Sequence, residues 1–130
     1  MPMVIVDTSV WIQAFTARST AEHKELDGLL NQNQVVMVGP VLAEILQGAR
    51  SLEEFNRLRV RLAALPYAAA TRETWDQSGA LSYQLRQHGN PVGLVDLLIS
   101  ALALEHDHQL YTLDNHFHRV PGLKLYSAGL

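Results

Sequence analysis

Two runs of apolar residues constrain this chain more than anything else in it. Met3-Val4-Ile5-Val6 and Val35-Val36-Met37-Val38 carry no polar alternation. A strand with one wet face alternates, so an uninterrupted run suits a strand covered on both faces, as in the middle of a parallel sheet. Parallel neighbours need a crossover, usually helical. The residues between the runs supply one, because Leu26, Leu29 and Leu30 make an apolar stripe between Thr20 and Asn31. The first run stops at Asp7, and Thr8-Ser9 leads into a new pattern of Val10, Trp11, Ile12 and Phe15. That order reads as strand, tight turn and helix. Ligands of open parallel sheets bind beyond the carboxyl ends of the strands, and Asp7 stands at such an end.

The rest of the chain continues the alternation. Thr20 opens its helix without a good capping-box partner. Gly39-Pro40 closes the second run, with proline suited to a helical first turn. A helix over Val41–Gln47 stops at Gly48. Ser51 with Glu54 matches a capping box for a helix reaching about Leu65. Tyr67–Ala70 reads as a short edge strand, and Thr71, Thr74 and Trp75 open a long helix ending near Gly89. Asn90-Pro91 breaks the chain before a helix over Leu94–Leu104. Gln109–Leu113 is a strand, Asn115–Arg119 a helical turn and Leu123–Tyr126 a last strand. The pattern predicts an α/β fold of three layers, α/β/α, with a mainly parallel central sheet. No repeat, low-complexity tract or linker divides it, so one domain over residues 1–130 is expected.

Composition narrows the chemistry. The chain has no cysteine, which excludes disulfides, thiolate zinc sites and cysteine nucleophiles. No stretch is long and apolar enough to span a bilayer. Asp7 interrupts what would be the apolar core of a signal peptide, so a cytoplasmic protein is expected. Thirteen acids against ten bases give a net charge of −3, without the global basic footprint of many nucleic-acid binders. Bound metal ions can supply local positive charge instead.

Four acids stand where acids are unusual. Asp96 lies in Leu94-Val95-Asp96-Leu97-Leu98-Ile99-Ser100-Ala101-Leu102-Ala103-Leu104, apolar all round and so expected to be central and buried. Ser100, four residues on, shares its face. An unpaired buried carboxylate carries an effective desolvation penalty of several kcal/mol on the order-of-magnitude scale. Its place in the first turn recovers only ~0.3–1 kcal/mol through the helix dipole. It therefore needs a cation or strong donors; an arginine partner or a capping role would also serve. Glu44 sits among Val41, Leu42, Ala43, Ile45 and Leu46, though a short helix can have a solvated side. Asp114 follows a strand, at the same sheet edge as Asp7, and can also cap the turn after it. Four carboxylates brought together repel unless a divalent cation neutralises them. Oxygen-only ligands suit Mg²⁺ or Mn²⁺, and such a site favours metal-assisted phosphodiester hydrolysis.

The remaining acids, among them Glu22, Glu25, Glu53 and Glu54, sit among polar residues and read as solvated faces. His106 and His108, and His116 and His118, lack a matching pair on one helix face, which argues against zinc. His116 can touch substrate or lie on the surface. Arg50, Arg57 and Arg61 recur at spacings of seven and four on one face after Gly48. They can contact RNA phosphates or pair with Glu53 and Glu54 on a solvated face.

Taken in order, Val-Asp7-Thr8-Ser9-Val-Trp11, Leu-Ala-Glu44-Ile-Leu-x-Gly48, Asp96-Leu-Leu-Ile-Ser-Ala and Tyr-Thr112-Leu-Asp114-Asn-His-Phe117 resemble the PIN-domain family. The likeness is greatest to the VapC toxins of prokaryotic toxin–antitoxin pairs, and it spans residue 4 to the last strand. It implies an endoribonuclease dependent on Mg²⁺ or Mn²⁺, a cognate VapB-type antitoxin whose C-terminal segment lies over the site, and a homodimer. It implies Asp7 and Asp96 as primary metal ligands, with Asp114 completing the metal site. Glu44 would position or activate the attacking water or bind a second ion. Thr8, Ser9 and Thr112 would orient carboxylates or bind phosphate. Ser100 stands where alanine is common in such helices and is expected to hydrogen-bond near Asp96.

Other aspartate-based folds fit less well. A phospho-receiver domain needs an adjacent acidic pair after the first strand and a late lysine, but Asp7 is flanked by Val6 and Thr8, and the lysines are Lys24 and Lys124. An aspartyl-nucleophile phosphatase wants a second aspartate where Ser9 stands. A module that binds RNA and inhibits by occlusion, without catalysis, is the alternative of another class.

Overall fold

The computed structural model describes residues 3–127. Strand β1 (Val4–Val6) lies inside a parallel sheet, with β2 (Val35–Val38) on one side and β4 (Gln109–Tyr111) on the other. β3 (Tyr67–Ala68) pairs with the outer edge of β2, giving the order β3-β2-β1-β4. Ile5 stands opposite Val36 and Leu110 in the two ladders. Every residue of β1 and β2 is buried, as uninterrupted apolar strands require.

Six helices flank this sheet: α1 (Thr8–Thr16), α2 (Ala21–Asn31), α3 (Gly39–Gln47), α4 (Leu52–Ala63), α5 (Arg72–Gln87) and α6 (Leu94–His106). Their starts follow local chemistry. The Thr20 hydroxyl accepts from the His23 amide, so α2 is capped even without an acidic partner. Ser51 caps α4, but Glu54 accepts from the Arg50 amide, one residue before the expected box. Thr71 and Thr74 form a reciprocal box on α5. That helix ends in a left-handed turn at Gly89, φ +73°, where Gly89 N–H donates to Arg86 O and Asn90 N–H to Leu85 O. Pro40 sits in the first turn of α3. Gly39 beside it is a place of close approach, since a Cβ there would stand 3.0 Å from the Tyr67 hydroxyl.

The apolar circumference of α6 has a simple cause. Ile99, Leu102 and Ala103 belong to the main core with the strands, whereas Leu97 packs with Leu81 and Leu85 of α5 and with Val92 and Val120. The helix is therefore covered on two sides from Leu97 to Ala103. Its first turn is not. Leu94 and Val95 are 51% and 52% exposed, and Asp96 is half-buried, which corrects the expectation of a fully central carboxylate.

Three strand expectations need trimming. β4 ends at Tyr111, and β3 holds two residues. The strand expected over Leu123–Tyr126 shrinks to one parallel bridge, Leu110 with Leu125. Leu110 N–H donates to Lys124 O and Tyr126 N–H to Leu110 O, at 2.9 and 2.8 Å. Side chains hold this segment as well, because Tyr126 packs on Tyr111 and its hydroxyl donates to Glu25. No helix among the described residues is long and apolar enough to cross a membrane.

Candidate active site

A parallel sheet delivers all its strand ends to one edge. From β1 the chain crosses to β2 on one side, while β4 arrives on the other. The crevice between the β1 and β4 ends is thus the point where strand order reverses, the usual ligand position in such sheets. Asp7 leaves β1 there, with its N–H bonded to Tyr111 O at 2.8 Å. The Trp11 indole donates to Val6 O at 3.1 Å and ties α1 to the same strand end.

Asp7 is the N-cap residue of α1, yet its carboxylate does not cap. Its Oδ2 instead accepts from the Ser9 and Thr112 hydroxyls, both at 2.8 Å. Each hydroxyl in turn accepts a backbone N–H of the loop after β4, Ser9 from Leu113 at 3.1 Å and Thr112 from Asp114 at 3.0 Å. The result is a closed ring that fixes Asp7 against that loop. Oδ1 of Asp7 is left without a hydrogen bond to the described residues. Asp7 is 8% exposed, so burial, two donors and the amino end of α1 all act on this one carboxylate.

The other acids reach the same place from different elements. Glu44 and Gln47 are exposed, so α3 does have a wet side. Glu44 is linked to the crevice by the Thr8 hydroxyl, which donates to Oε1 at 3.1 Å. Asp114 Oδ1 accepts the His116 N–H at 2.9 Å and so caps the turn Asn115–Arg119. His116 Nδ1 is also 3.1 Å from that oxygen. The Asp96 carboxylate has no hydrogen bond or ion pair with the described residues. Burial first, then the charges of Asp7, Asp114 and Glu44, push its pKa above the usual carboxylate value, and His116 partly opposes them. Asp96 is thus within electrostatic reach of the other three acids.

Ser100 hydrogen-bonds at Asp96 as expected, through the backbone of that residue. It is fully buried, and its hydroxyl donates to the Asp96 carbonyl oxygen at 2.9 Å. It supports the helical turn that carries Asp96 and does not donate to the carboxylate, because a serine four residues on bonds back along its own helix.

No lysine or arginine among the described residues compensates these acids. The bridges formed by such side chains go to Glu53, Glu54 and Asp107. Arg50 and Arg57 pair with Glu54 and Glu53, so for these two the solvated-face reading is the one observed. With Arg61 they line a cavity of about 510 Å³ between α1, α2 and α4 that none of the four acids lines. Among the described residues no three acids or histidines close into a ready-made metal cage. A donor set of carboxylate oxygens without a lysine or arginine partner among the described residues suits a hard ion such as Mg²⁺, which is usually held by one or two carboxylates and keeps several waters.

Sequence reasoning missed two aromatic residues here. Tyr67 and Trp75 line a cavity of about 660 Å³ together with Glu44 and Asp96. In the sequence Trp75 reads only as part of a helix opening. Its signal was a large ring in the first turn of a helix whose apolar stripe, Leu81 and Leu85, begins later.

Known proteins resemble this chain in sequence and in fold. Ribonuclease VapC11 of Mycobacterium tuberculosis is 29% identical over 119 residues, covering 88% of this chain and 89% of that protein. In fold the chain is similar to VapBC2 from Rickettsia felis, solved bound to a promoter DNA fragment, with a TM-score of 0.78, 24% identity and coverage of 95% and 97%. DNA-bound VapBC from Salmonella typhimurium gives a TM-score of 0.80 at 21% identity, covering 97% and 98%. The PIN domain model matches residues 4–123, a span that contains all four acids. A match over that span, nearly the whole chain, makes it a member of the PIN-domain family.

Proposed function

We propose that this chain is the toxin of a type II VapBC pair, an endoribonuclease that uses Mg²⁺ or Mn²⁺ to hydrolyse RNA phosphodiester bonds. The observation that carries this reading is that Asp7, Glu44 and Asp114 all bear electrostatically on Asp96, while no lysine or arginine among the described residues pairs with any of the four. Asp7, through Oδ1, would hold the ion with Asp96 and Asp114. A divalent ion bound there would neutralise the acids, attract phosphate oxygens and make water a better nucleophile at neutral pH. Glu44, which accepts a hydrogen bond from Thr8, would take a proton from the water that attacks phosphorus. Ser9 and Thr112 keep Asp7 in one rotamer, so its Oδ1 need not be ordered when substrate arrives. Thr8 and Ser9, at the amino end of α1, are also suited to a phosphate oxygen.

The family supports a VapB-type antitoxin as partner, and the similar structures from R. felis and S. typhimurium are VapBC assemblies. A homodimer acting on RNA in the cytoplasm completes the proposal. The test is cleavage of total cellular RNA by the purified chain with Mg²⁺ or Mn²⁺. Asp7→Asn and Asp96→Asn should each abolish cutting while the fold persists. Undiminished cutting by either variant would reject the assignment. Growth arrest that survives Asp7→Asn would point to occlusion of RNA without catalysis.

A further inference from the structure

The cavity that Glu44 and Asp96 share with Tyr67 and Trp75 has an apolar side with no part in the chemistry described so far. Its volume, about 660 Å³, lies within the roughly 300–1,000 Å³ of small-molecule pockets. Glu44 and Asp96 belong to its lining, and Tyr67, Trp75, Val95 and Leu98 supply much of the rest. No lysine, arginine or histidine lines it. Such a wall gives a phosphate nothing to bind, but it suits the flat apolar face of a base.

The two rings are presented by ordered backbone. Tyr67 lies in β3, in register with Met37, and its hydroxyl closes on Gly39. Trp75 stands in the first turn of α5, where the Thr71–Thr74 box fixes the helix start and the Trp75 N–H bonds to Thr71 O. Thr74 next to it is fully buried, while Trp75 and Tyr67 are 50% and 55% exposed. Half-exposed rings on fixed elements, beside acids that act on a phosphate, match the way unpaired bases of RNA are held. An antitoxin laid over this wall would compete with substrate for Glu44 and Asp96, whereas a base bound here leaves its own phosphate at the acids.

We propose that this cavity is a nucleobase subsite, in which Trp75 and Tyr67 hold an unpaired base next to the phosphate to be cut. The proposal rests on the nuclease reading above. It makes the protein a reader of single-stranded RNA, with selectivity set partly by which base fills this space.

The two tryptophans allow a direct test, since Trp11 is 3% exposed and Trp75 is 50% exposed. Asp7→Asn protein with Mg²⁺ is titrated with short fluorescein-labelled oligo-U, oligo-A, oligo-C and oligo-G, and with a blunt RNA duplex. Single strands should quench Trp75 emission and the duplex should not. Adding Trp75→Ala should weaken binding of the preferred strand, read by anisotropy, roughly 5- to 150-fold, the range for losing one base stack. Trp75→Phe should restore most of it, which a merely structural role for the residue would not require. With Asp7 intact, Trp75→Ala should raise KM and redistribute the cut sites. RNA binding with unchanged Trp75 emission would overturn the subsite. So would emission that follows protein dilution but ignores RNA, which would assign the face to contact between copies. If the wild type cuts RNA and Trp75→Ala cuts the same sites with the same KM, the subsite fails and the nuclease reading stands. A wild type that cuts no RNA with either metal overturns both.

Discussion

Replacing Thr112 by valine removes one hydroxyl and keeps the branched shape of the side chain. In this protein that hydroxyl has two bonds, donating to Asp7 Oδ2 at 2.8 Å and accepting from the Asp114 N–H at 3.0 Å. The first is to a charged group, and such bonds contribute about 1.5–3 kcal/mol. Thr112 is only half-buried, so water partly replaces what is lost and the lower end, about 1.5–2 kcal/mol, is expected. For a chain of this size that lowers Tm by roughly 5–10 °C. The functional effect should be larger than a general loss of stability explains, because the ring that fixes Asp7 is opened. Metal affinity and cleavage should fall roughly 10- to 100-fold, as for other groups that orient a metal ligand. Ser9→Ala should behave alike. The double variant should depart from additivity, since both hydroxyls restrain one oxygen. Calorimetric metal titration and cleavage of a fixed RNA, each below the variant's melting range, are the assays. If Thr112→Val leaves metal affinity and cleavage rate unchanged, the ring does not order Asp7 and the argument from its geometry fails.

Two further outcomes follow from the uncompensated acids. In chelator, Asp96→Asn should stabilise the protein at neutral pH and lose that advantage in acid. The pKa of Asp96 is raised by burial and by Asp7, Asp114 and Glu44. Below the unfolded value both states are protonated and no penalty exists; above it the unfolded chain ionises first, so stability falls as pH rises through the folded value. Urea denaturation of both proteins across that range checks the sign, and an Asn variant less stable at neutral pH would refute it. Separately, Mg²⁺ or Mn²⁺ should raise Tm, by the equivalent of about 2.7 kcal/mol at a hundred times Kd, because only the folded crevice assembles the ligands. Asp7→Asn should blunt the response, and a flat Tm up to millimolar metal would count against the site.

Local chemistry was legible wherever a residue's neighbours in sequence are also its neighbours in space. The apolar runs Val4–Val6 and Val35–Val38 are buried strands, and Thr71 caps its helix through Thr74, three residues away. The oddity of an acid on an apolar helix marks Asp96 from the sequence alone. The same reasoning overreached at that helix's first turn, because an apolar circumference does not say where along its length the covering layer stops. It also overreached at Leu123–Tyr126, where two backbone bonds and the Tyr126 side chain replace a strand.

The sequence by itself determined the alternation of strands and helices, the parallel sheet that alternation implies, and the short set of acids worth attention. Only the tertiary structure decided how those acids are held. It joined Ser9 and Thr112, 103 residues apart in sequence by subtraction of their numbers, on one oxygen of Asp7. It turned Ser100 back onto its own helix, and it set Trp75 and Tyr67 beside Glu44 and Asp96. The reason is physical. Burial and periodicity are summed along the chain and survive small shifts of any one group. A hydrogen bond or a shared cavity depends on distances of a few ångströms between remote segments, and those exist only once the layers have packed.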